Sequence, residues 1–390
     1  MINLEDILAN ALGEQKPKNK TKYNNDIEQI IAGKFIAENL YCVTKEYKFG
    51  DLIGKYKLEN FDLHYGITKW ANLSKNPAED DYLFIDTETT GLSGGTGTYA
   101  FLVGIGYFIP TGFRIEQFFM NDLSAEFAML ETLKTKMSSD KTLVSYNGKS
   151  FDINLLETRF IANGIQFSPK KLNHIDLLHL VRRFWKGSFS SCSLQSIEKF
   201  VLRSFRNIED EIPGAQIPQL YFDYLDSANC GKLENIFFHN QSDIVSLAVI
   251  LKLISEILQE KEDWFKLMVN PLGLAKFYHE FISIEKAIEI LKKNTVEADC
   301  RKYLSFIYKQ QENWQKSIEL WKLAADDREL FAFEELAKYY EHHANNLALA
   351  QKYTLHALEI ITGGYWVDPQ KLSDFSHRLE RLEQKIHNEK

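Results

Sequence analysis

The chain has 390 residues, of which 45% are hydrophobic and 26% are charged. This is the composition of a globular protein long enough for two or three domains, and it excludes a disordered, collagen-like or low-complexity chain. The formal net charge is −8, from 46 lysines and arginines against 54 aspartates and glutamates, which argues against a basic protein that coats nucleic acid.

The cysteines and the apolar runs bear on the cellular compartment. The four cysteines lie far apart with no C-x-x-C pair, which favours free thiols over a disulfide framework or a zinc ribbon. The first residues carry acidic side chains within their apolar stretch, unlike a signal peptide. No apolar run reaches the roughly 18 residues of a transmembrane helix. We therefore expect a soluble, cytoplasmic protein with no membrane partner.

Residues 1–78 are predicted to form an N-terminal extension with short strands. Its lysine-rich stretch is typical of a solvated loop and contains Lys16, Lys18, Lys20 and Lys22. Residues 35–57 have the pattern of short strands or a hairpin, with Gly50 and Gly54 at the turns. Pro77 and the acidic residues 79–81 then indicate a domain boundary.

Residues 79–262 are predicted to form an α/β domain. Strands are indicated at 82–85, 100–108, 113–119 and 142–146, and helices at 126–136 and 153–163. The short turn between the second and third strands favours antiparallel pairing, and the later alternation of helix and strand favours a mixed sheet. A long amphipathic helix is indicated at 235–260. Its apolar stripe contains Ile244, Leu247, Leu251, Ile254 and Leu258.

Residues 270–390 are predicted to form an all-α helical-repeat domain. Residues 274–278 resemble residues 336–340, with a related segment at 304–308 between them, and a second helix follows each copy. The second helices carry small residues at Ala287, Ser317 and Ala350. A helix pair that repeats after about 34 residues is similar to the tetratricopeptide pattern, with an ordinary helical bundle as the alternative. A last helix from Asp368 and Pro369 could cap the array.

Asp86 and Glu88 stand two residues apart at the end of a buried strand. Side chains alternate between the two faces of a strand, so both carboxylates point the same way. Two such carboxylates are costly to bury unless a cation neutralises them, and Mg²⁺ and Mn²⁺ prefer oxygen ligands. The alternative is a carboxylate pair in solvent.

Two further carboxylates follow on predicted helices. Asp152 opens a helix after the turn that contains Asn147, where it could serve only as an N-cap. On the long helix, His239 and Asp243 are four residues apart and share one face beside the apolar stripe. A solvated polar edge is the alternative for this pair.

The order of these motifs resembles the DEDD superfamily of 3′–5′ exonucleases, which are DnaQ-like proteins. The resemblance covers about residues 80–262 and rests on the phrases IDTETTGL and YNGKSFD. It is closest to the YprB-type ribonuclease H-like proteins, through four stretches at residues 90–104, 174–185, 191–202 and 212–225. The resemblance implies a ribonuclease H-like domain with a mixed five-stranded sheet flanked by helices, and it agrees with a helical-repeat tail.

The resemblance also implies a two-metal-ion mechanism with Mg²⁺ or Mn²⁺. Asp86 would bridge both ions, Glu88 and Asp243 would complete the first site, and Asp152 would contribute to the second through water. His239 is the candidate general base. One subfamily has a histidine as its base at a different spacing from the last aspartate, and another subfamily has a tyrosine at the spacing that His239 has here. Two histidines are weaker candidates for the base, His174 and His179. Asp176 is interpreted as a structural or supporting carboxylate.

Residues near these motifs are candidates for nucleic-acid contacts. They are Thr89, Gly91, Leu92, Asn147, Lys149, Phe151, Arg182 and Arg183. The stretch from residue 168 to 206 has eight basic residues against Asp176 and Glu198, with Phe184, Trp185 and Phe189 interleaved. Such a stretch can grip phosphates and stack on bases. The alternatives are a tight hairpin turn at residues 91–97 and a solvated helix face over core aromatic residues.

Together with these patterns, the resemblance implies a metal-dependent 3′–5′ exonuclease. The resemblance favours DNA over RNA, a role in DNA repair, and a protein partner, perhaps a helicase, docked on the helical repeats. The alternatives are an exoribonuclease and a non-catalytic adaptor in which the repeats bind protein and the nuclease-like domain only holds nucleic acid.

Overall fold

The computed structural model describes residues 27–91, 97–204, 212–227, 232–364 and 367–388. The chain divides into two compact units, Met1–Val269 and Asn270–Lys390. The predicted lysine-rich loop, Leu92 and Arg206 lie outside the described residues. None of the described helices is long and apolar enough to cross a membrane.

Within the described residues, the first unit is built on a mixed sheet of seven strands, so the expected number of five is wrong. In chain order the strands are Lys34–Ala37 (β1), Leu40–Lys48 (β2), Tyr82–Thr89 (β5), Ala100–Ile109 (β6), Gly112–Met120 (β7), Thr142–Ser145 (β8) and Asn173–Asp176 (β9). Their order across the sheet is β1-β2-β7-β6-β5-β8-β9. The pair β3 (Leu52–Ile53) and β4 (Tyr56–Lys57) forms a separate small sheet. Across the sheet, the pairs β1–β2, β2–β7, β7–β6 and β6–β5 are antiparallel. The pairs β5–β8 and β8–β9 are parallel.

The two additional strands come from the N-terminal extension. β2 pairs with β7 along its whole length, from Leu40 opposite Met120 to Lys48 opposite Gly112. Its first four residues are buried, so this strand contributes to the core as well as to the hydrogen-bonded ladder. The sequence indicates strands here but not the strand with which they pair.

Seven α-helices accompany this sheet in the described part of the first unit, besides the helical residues 27–30 and short 3-10 and π turns. They are Tyr65–Trp70 (α1), Glu126–Lys136 (α2), Asp152–Ala162 (α3), Leu177–Trp185 (α4), Leu194–Ile197 (α5), Ile217–Ser227 (α6) and Leu233–Leu258 (α7). The helices expected at 126–136, 153–163 and 235–260 are therefore present, with ends that shift by two residues or fewer.

Helix α7 packs closely over the sheet because two positions of β6 are glycine. A Cβ atom at Gly104 would overlap Asn240 and Ile244, and one at Gly106 would lie 2.5 Å from Ile244 Cγ2. The absence of these side chains lets α7 approach the strand that neighbours β5. The approach brings the polar residues of α7 to the end of β5.

We expect Gly104→Ala to lower the free energy of unfolding by about 1–3 kcal/mol, since the added methyl group overpacks the contact with α7. Urea denaturation measures this change. Gly214→Ala is the control, because a Cβ at Gly214 meets no atom within 4 Å. Equal stability of the two variants would contradict the close packing at Gly104.

The second unit is all helical in its described residues, which confirms the expected fold class. Its helices are Pro271–Phe281 (α8), Ile284–Lys293 (α9), Ala298–Gln310 (α10), Trp314–Asp326 (α11), Leu330–His342 (α12), Leu347–Thr362 (α13) and Pro369–Asn388 (α14). The small residues Ala287, Ser317 and Ala350 are fully buried, as close helix packing requires. Asp368 accepts a hydrogen bond from the N–H of Gln370 and so caps α14. The assignment to the tetratricopeptide class stays a prediction.

Candidate active site

Strand β5 carries Asp86 and Glu88 at the point where it leaves the core. Tyr82, Leu83, Phe84 and Ile85 are buried, and the next four residues are partly exposed. Asp86 pairs with Gly104 and Glu88 with Leu102 of β6, so the two carboxylates occupy alternate positions of a regular strand. The strand thus presents both carboxylates on one face, as the sequence predicts.

Helix α7 brings His239 and Asp243 to the same place. The Nδ1 atom of His239 lies 3.1 Å from Glu88 Oε1 and 3.7 Å from Asp243 Oδ2. The three side chains are only 12–14% exposed. The same ring nitrogen therefore lies near two carboxylates from two different elements.

Asp152 is the first residue of α3, and the preceding residue, Phe151, occupies the N-cap position. The Asp152 carboxylate accepts a hydrogen bond from the Thr87 hydroxyl of β5. The side chain thus contacts β5, the strand that carries Asp86 and Glu88, which the alternative of a simple N-cap does not predict.

Asp176 holds the turn that precedes α3. Its buried carboxylate accepts hydrogen bonds from the N–H groups of Asn147 at 2.7 Å, Lys149 at 3.1 Å and Leu178 at 3.1 Å. Asn147 has the left-handed backbone conformation, with φ of 65°. These three N–H donors satisfy the hydrogen-bonding capacity of the buried carboxylate. Asp176 is therefore placed to fix the turn and, through it, the position of Asp152.

The carboxylates influence one another strongly. Burial, followed by the negative charges of Asp243, Glu88 and Asp152, raises the pKa of Asp86 well above its usual range. Burial also raises the pKa of Glu88, although the hydrogen bond with His239 acts in the opposite direction. Burial raises the pKa of Asp152 as well, against the hydrogen bond from Thr87. The cluster is costly to ionise without positive charge nearby.

The donor set fits a hard divalent cation in its chemistry, because carboxylate oxygens are the ligands that Mg²⁺ and Mn²⁺ prefer. As they stand, the described histidine, cysteine, aspartate and glutamate side chains form no group of three or more that could hold a metal ion. Asp86 is engaged by the amide of Asn240, at 2.8 Å from its Oδ2, and Glu88 is engaged by His239.

Sequence reasoning missed Asn240, which supports Asp86. This fully buried amide donates to Asp86 and accepts from Gln117 Nε2 at 2.8 Å. Gln117 of β7 in turn accepts from Gln241 Nε2 at 2.7 Å. A signal was present in the sequence, since Asn240 lies four residues before Ile244 and so continues the apolar stripe of α7 with a polar residue.

A cleft of about 360 Å³ lies beside Asp152. Its lining includes Thr87, Thr89, Gly91, Phe151 and Asp152. Phe151 is 56% exposed, which is unusual for so apolar a side chain. Three of the predicted nucleic-acid contacts, Thr89, Gly91 and Phe151, are therefore gathered here. Asn147 and Lys149 lie in the adjoining turn.

In the predicted basic and aromatic stretch, the arginines and the aromatic residues of α4 differ in their exposure to solvent. On α4, Arg182 is exposed and Arg183 is partly buried. Phe184 and Trp185 are fully buried, and the Trp185 indole donates to the Leu267 carbonyl oxygen at 2.9 Å. The expectation that these two aromatic residues stack on bases is therefore wrong, because α4 buries them in the core.

The weaker candidates for the general base have other surroundings. His174 Nε2 lies 2.7 Å from Ser145 Oγ, and burial, followed by the charge of Lys149, lowers the pKa of His174 to about 4. His179 is exposed on α4. Of the three histidines considered, His239 is the one bonded to a carboxylate of β5.

Comparison with known proteins places this fold. Residues 83–255 match the RNase H superfamily. The chain is 29% identical over 372 residues to the uncharacterized protein YprB of Bacillus subtilis (strain 168), and the match covers 90% of this chain and 86% of that protein.

Among solved structures, the family B DNA polymerase from the hyperthermophilic archaeon Pyrobaculum calidifontis is 16% identical, with a TM-score of 0.34. The match covers 76% of this chain and 36% of the polymerase, so this chain spans about a third of that protein's length. The sequence match, the mixed sheet and the flanking helices agree. Residues 83–255 are thus an RNase H-superfamily domain, which an all-helical C-terminal region follows.

Proposed function

We propose that the protein is a metal-dependent 3′–5′ exonuclease that hydrolyses phosphodiester bonds at the 3′ end of DNA. The observation that supports this most directly is the convergence of carboxylates from three elements at the end of β5. His239 Nδ1 lies near both Glu88 and Asp243, and Asp152 accepts a hydrogen bond from Thr87, the residue between Asp86 and Glu88. Nucleases of the RNase H superfamily typically use divalent metals. The superfamily therefore supports a hydrolase that acts on nucleic acid, and the order of the DEDD motifs supports the 3′ end.

The four carboxylates are the residues that would hold the cations, Mg²⁺ or Mn²⁺. When bound, the cations would neutralise charge on the phosphate and activate a water molecule. His239 would accept a proton at its imidazole, because the Glu88 and Asp243 carboxylates near its Nδ1 atom would stabilise the imidazolium that forms. Asn240 orients Asp86, and Asp176 orients the turn before Asp152.

The 360 Å³ cleft is the proposed site of the terminal nucleotide. The exposed ring of Phe151 can stack on an unpaired base, which does not require a particular sequence. The threonine side chains of β5 can bond to sugar hydroxyl groups. The end of an unpaired strand has both an unpaired base and a sugar hydroxyl group, which supports an enzyme that acts from a strand end.

We further propose that the helical C-terminal region docks a protein partner, such as a helicase in DNA repair. Within its described residues, no group of three or more histidine, cysteine, aspartate or glutamate side chains could hold a metal ion. A binding role therefore fits this region better than a second catalytic one.

An assay with single- and double-stranded DNA and RNA, labelled at either the 3′ or the 5′ end, tests the proposal. With Mg²⁺ or Mn²⁺ and 3′-labelled DNA, we expect labelled mononucleotide to appear first. DNA labelled at the 5′ end should instead shorten progressively. EDTA is expected to stop both reactions.

The other outcomes separate the alternatives. Faster cleavage of RNA under the same conditions would indicate an exoribonuclease. Early release of a labelled 5′ mononucleotide would contradict the polarity. Binding of nucleic acid without turnover with either cation would indicate an adaptor.

A further inference from the structure

A second cleft, of about 530 Å³, lies in the first unit. Its walls include residues 71–73, which follow α1, and the side chains of Lys149, Asn154, Lys170 and His174. Lys170 belongs to the short turn Pro169–Lys171 that precedes β9. We call this space the lysine cleft.

The lysine cleft has a positive character. Within the described part of the chain, the ammonium groups of Lys149 and Lys170 make no ion pair. His174 is held neutral near pH 7, since its pKa is lowered to about 4, and it adds no charge. Two lysines without an ion pair along one polar cleft favour an anionic ligand.

The lysine cleft and the cleft beside Asp152 share one wall. Asn154 lines both of them. Ser150, Phe151 and Asp152 line the cleft beside the carboxylates, whereas Lys149 and Ile153 line the lysine cleft. The turn before α3 and the first residues of α3 therefore separate the two clefts. A ligand that crosses this turn can occupy both clefts.

We propose that the lysine cleft binds backbone phosphates of the substrate strand, next to the nucleotide held in the cleft beside Asp152. The inference rests on the proposed function for its choice of a strand as ligand. It adds Lys170 and the surface beyond the turn to the path of that strand. Lysine ammonium groups contact phosphates without reading sequence, so the predicted contribution is the same for any sequence.

The test is the affinity for a fluorescent single-stranded oligonucleotide, measured by anisotropy in EDTA over a range of salt concentrations. We compare the wild type, Lys149→Gln/Lys170→Gln and Lys171→Gln. Lys171 is exposed in the same turn as Lys170 but does not line the lysine cleft, so it is a matched control for the loss of one positive charge.

We expect the double variant to bind about tenfold more weakly. The slope of its plot of log affinity against log salt concentration should become shallower by about 0.7 for each phosphate contact that is lost. Lys171→Gln should lose clearly less affinity than the double variant. Equal affinity of the double variant and the wild type would overturn the proposal, as would an equal loss in Lys171→Gln or an unchanged salt slope.

Two additional measurements complete the test. Thermal unfolding must give the same midpoint for all three proteins, and a nucleoside monophosphate serves as the competitor. If the nucleoside monophosphate displaces the oligonucleotide at concentrations similar to those of the oligonucleotide itself, the proposal that the lysine cleft binds a strand is overturned. Because the titration needs no hydrolysis, its result stands even if the nuclease assay shows no turnover.

Discussion

Asp86→Asn is expected to abolish Mg²⁺- or Mn²⁺-dependent release of nucleotides, with residual activity at the detection limit. Asparagine retains the size of aspartate and can still accept the hydrogen bond from Asn240, but it removes the negative charge at the centre of the cluster. The nuclease assay with labelled DNA measures the rate, and calorimetric titration of Mn²⁺ measures the cation affinity, which we expect to fall as well.

Asp80→Asn is the matched control, since Asp80 is exposed in the turn directly before β5. It should retain wild-type rate and cation affinity. Nuclease activity that survives in Asp86→Asn at the wild-type level would refute the assignment of the site to this strand.

Asp86→Asn also leads to a prediction about the free energy of unfolding, which does not depend on nuclease activity. The fold raises the pKa of Asp86, so the folded protein binds a proton there more tightly than the unfolded chain does. The ionised carboxylate therefore destabilises the metal-free protein above the raised pKa. We expect Asp86→Asn to be more stable than the wild type in EDTA near neutral pH. The difference should shrink as the pH falls through the raised pKa toward the ordinary carboxyl range.

His239→Ala is expected to lower the hydrolysis rate by about 10²–10⁴-fold if the imidazole takes the proton of the attacking water. Cation affinity should be largely retained, because the four carboxylates remain. His179→Ala is the control, since His179 is exposed on α4, and we expect it to have the wild-type rate. A wild-type rate in His239→Ala would move the role of base to another residue.

A second substitution separates proton transfer from positioning at this residue. His239 also holds Glu88 at 3.1 Å, and alanine removes that contact together with the imidazole. Glutamine in His239→Gln can still donate to Glu88 but cannot accept a proton near neutral pH. If His239→Gln restores the rate, the histidine only positions Glu88. If it stays slow and the pH dependence of the rate flattens, the imidazole is the base.

Local patterns were enough to predict strand β5, which carries Asp86 and Glu88, and three of the helices that accompany the sheet. The phrase around Asp86 and Glu88 combines a buried strand with two carboxylates on one face, and that information is complete within a few residues. The partial burial of Asp152 and its contact with Thr87 depend on the turn that Asp176 holds, and no spacing in the sequence relates these residues. Arrangement around the site is thus a tertiary property.

Two elements show where sequence patterns are insufficient. Leu40–Lys48 has the pattern of a strand, but its partner, β7, lies some 70 residues later, and pairing over that distance is not written in local periodicity. Phe184 and Trp185 stand among basic residues, which suggested a binding surface. The helical period of α4 in fact turns these rings inward while Arg182 faces solvent.

The pairing of β2 with β7 also affects how this domain can be divided. The part that matches the superfamily begins at residue 83, yet nine residues of β2 cover the edge of β7. A protein shortened to the matching part would expose that row of N–H and C=O groups, which is a template for pairing with another chain. The extension thus covers this edge of the sheet, and we expect a protein that lacks it to self-associate more readily.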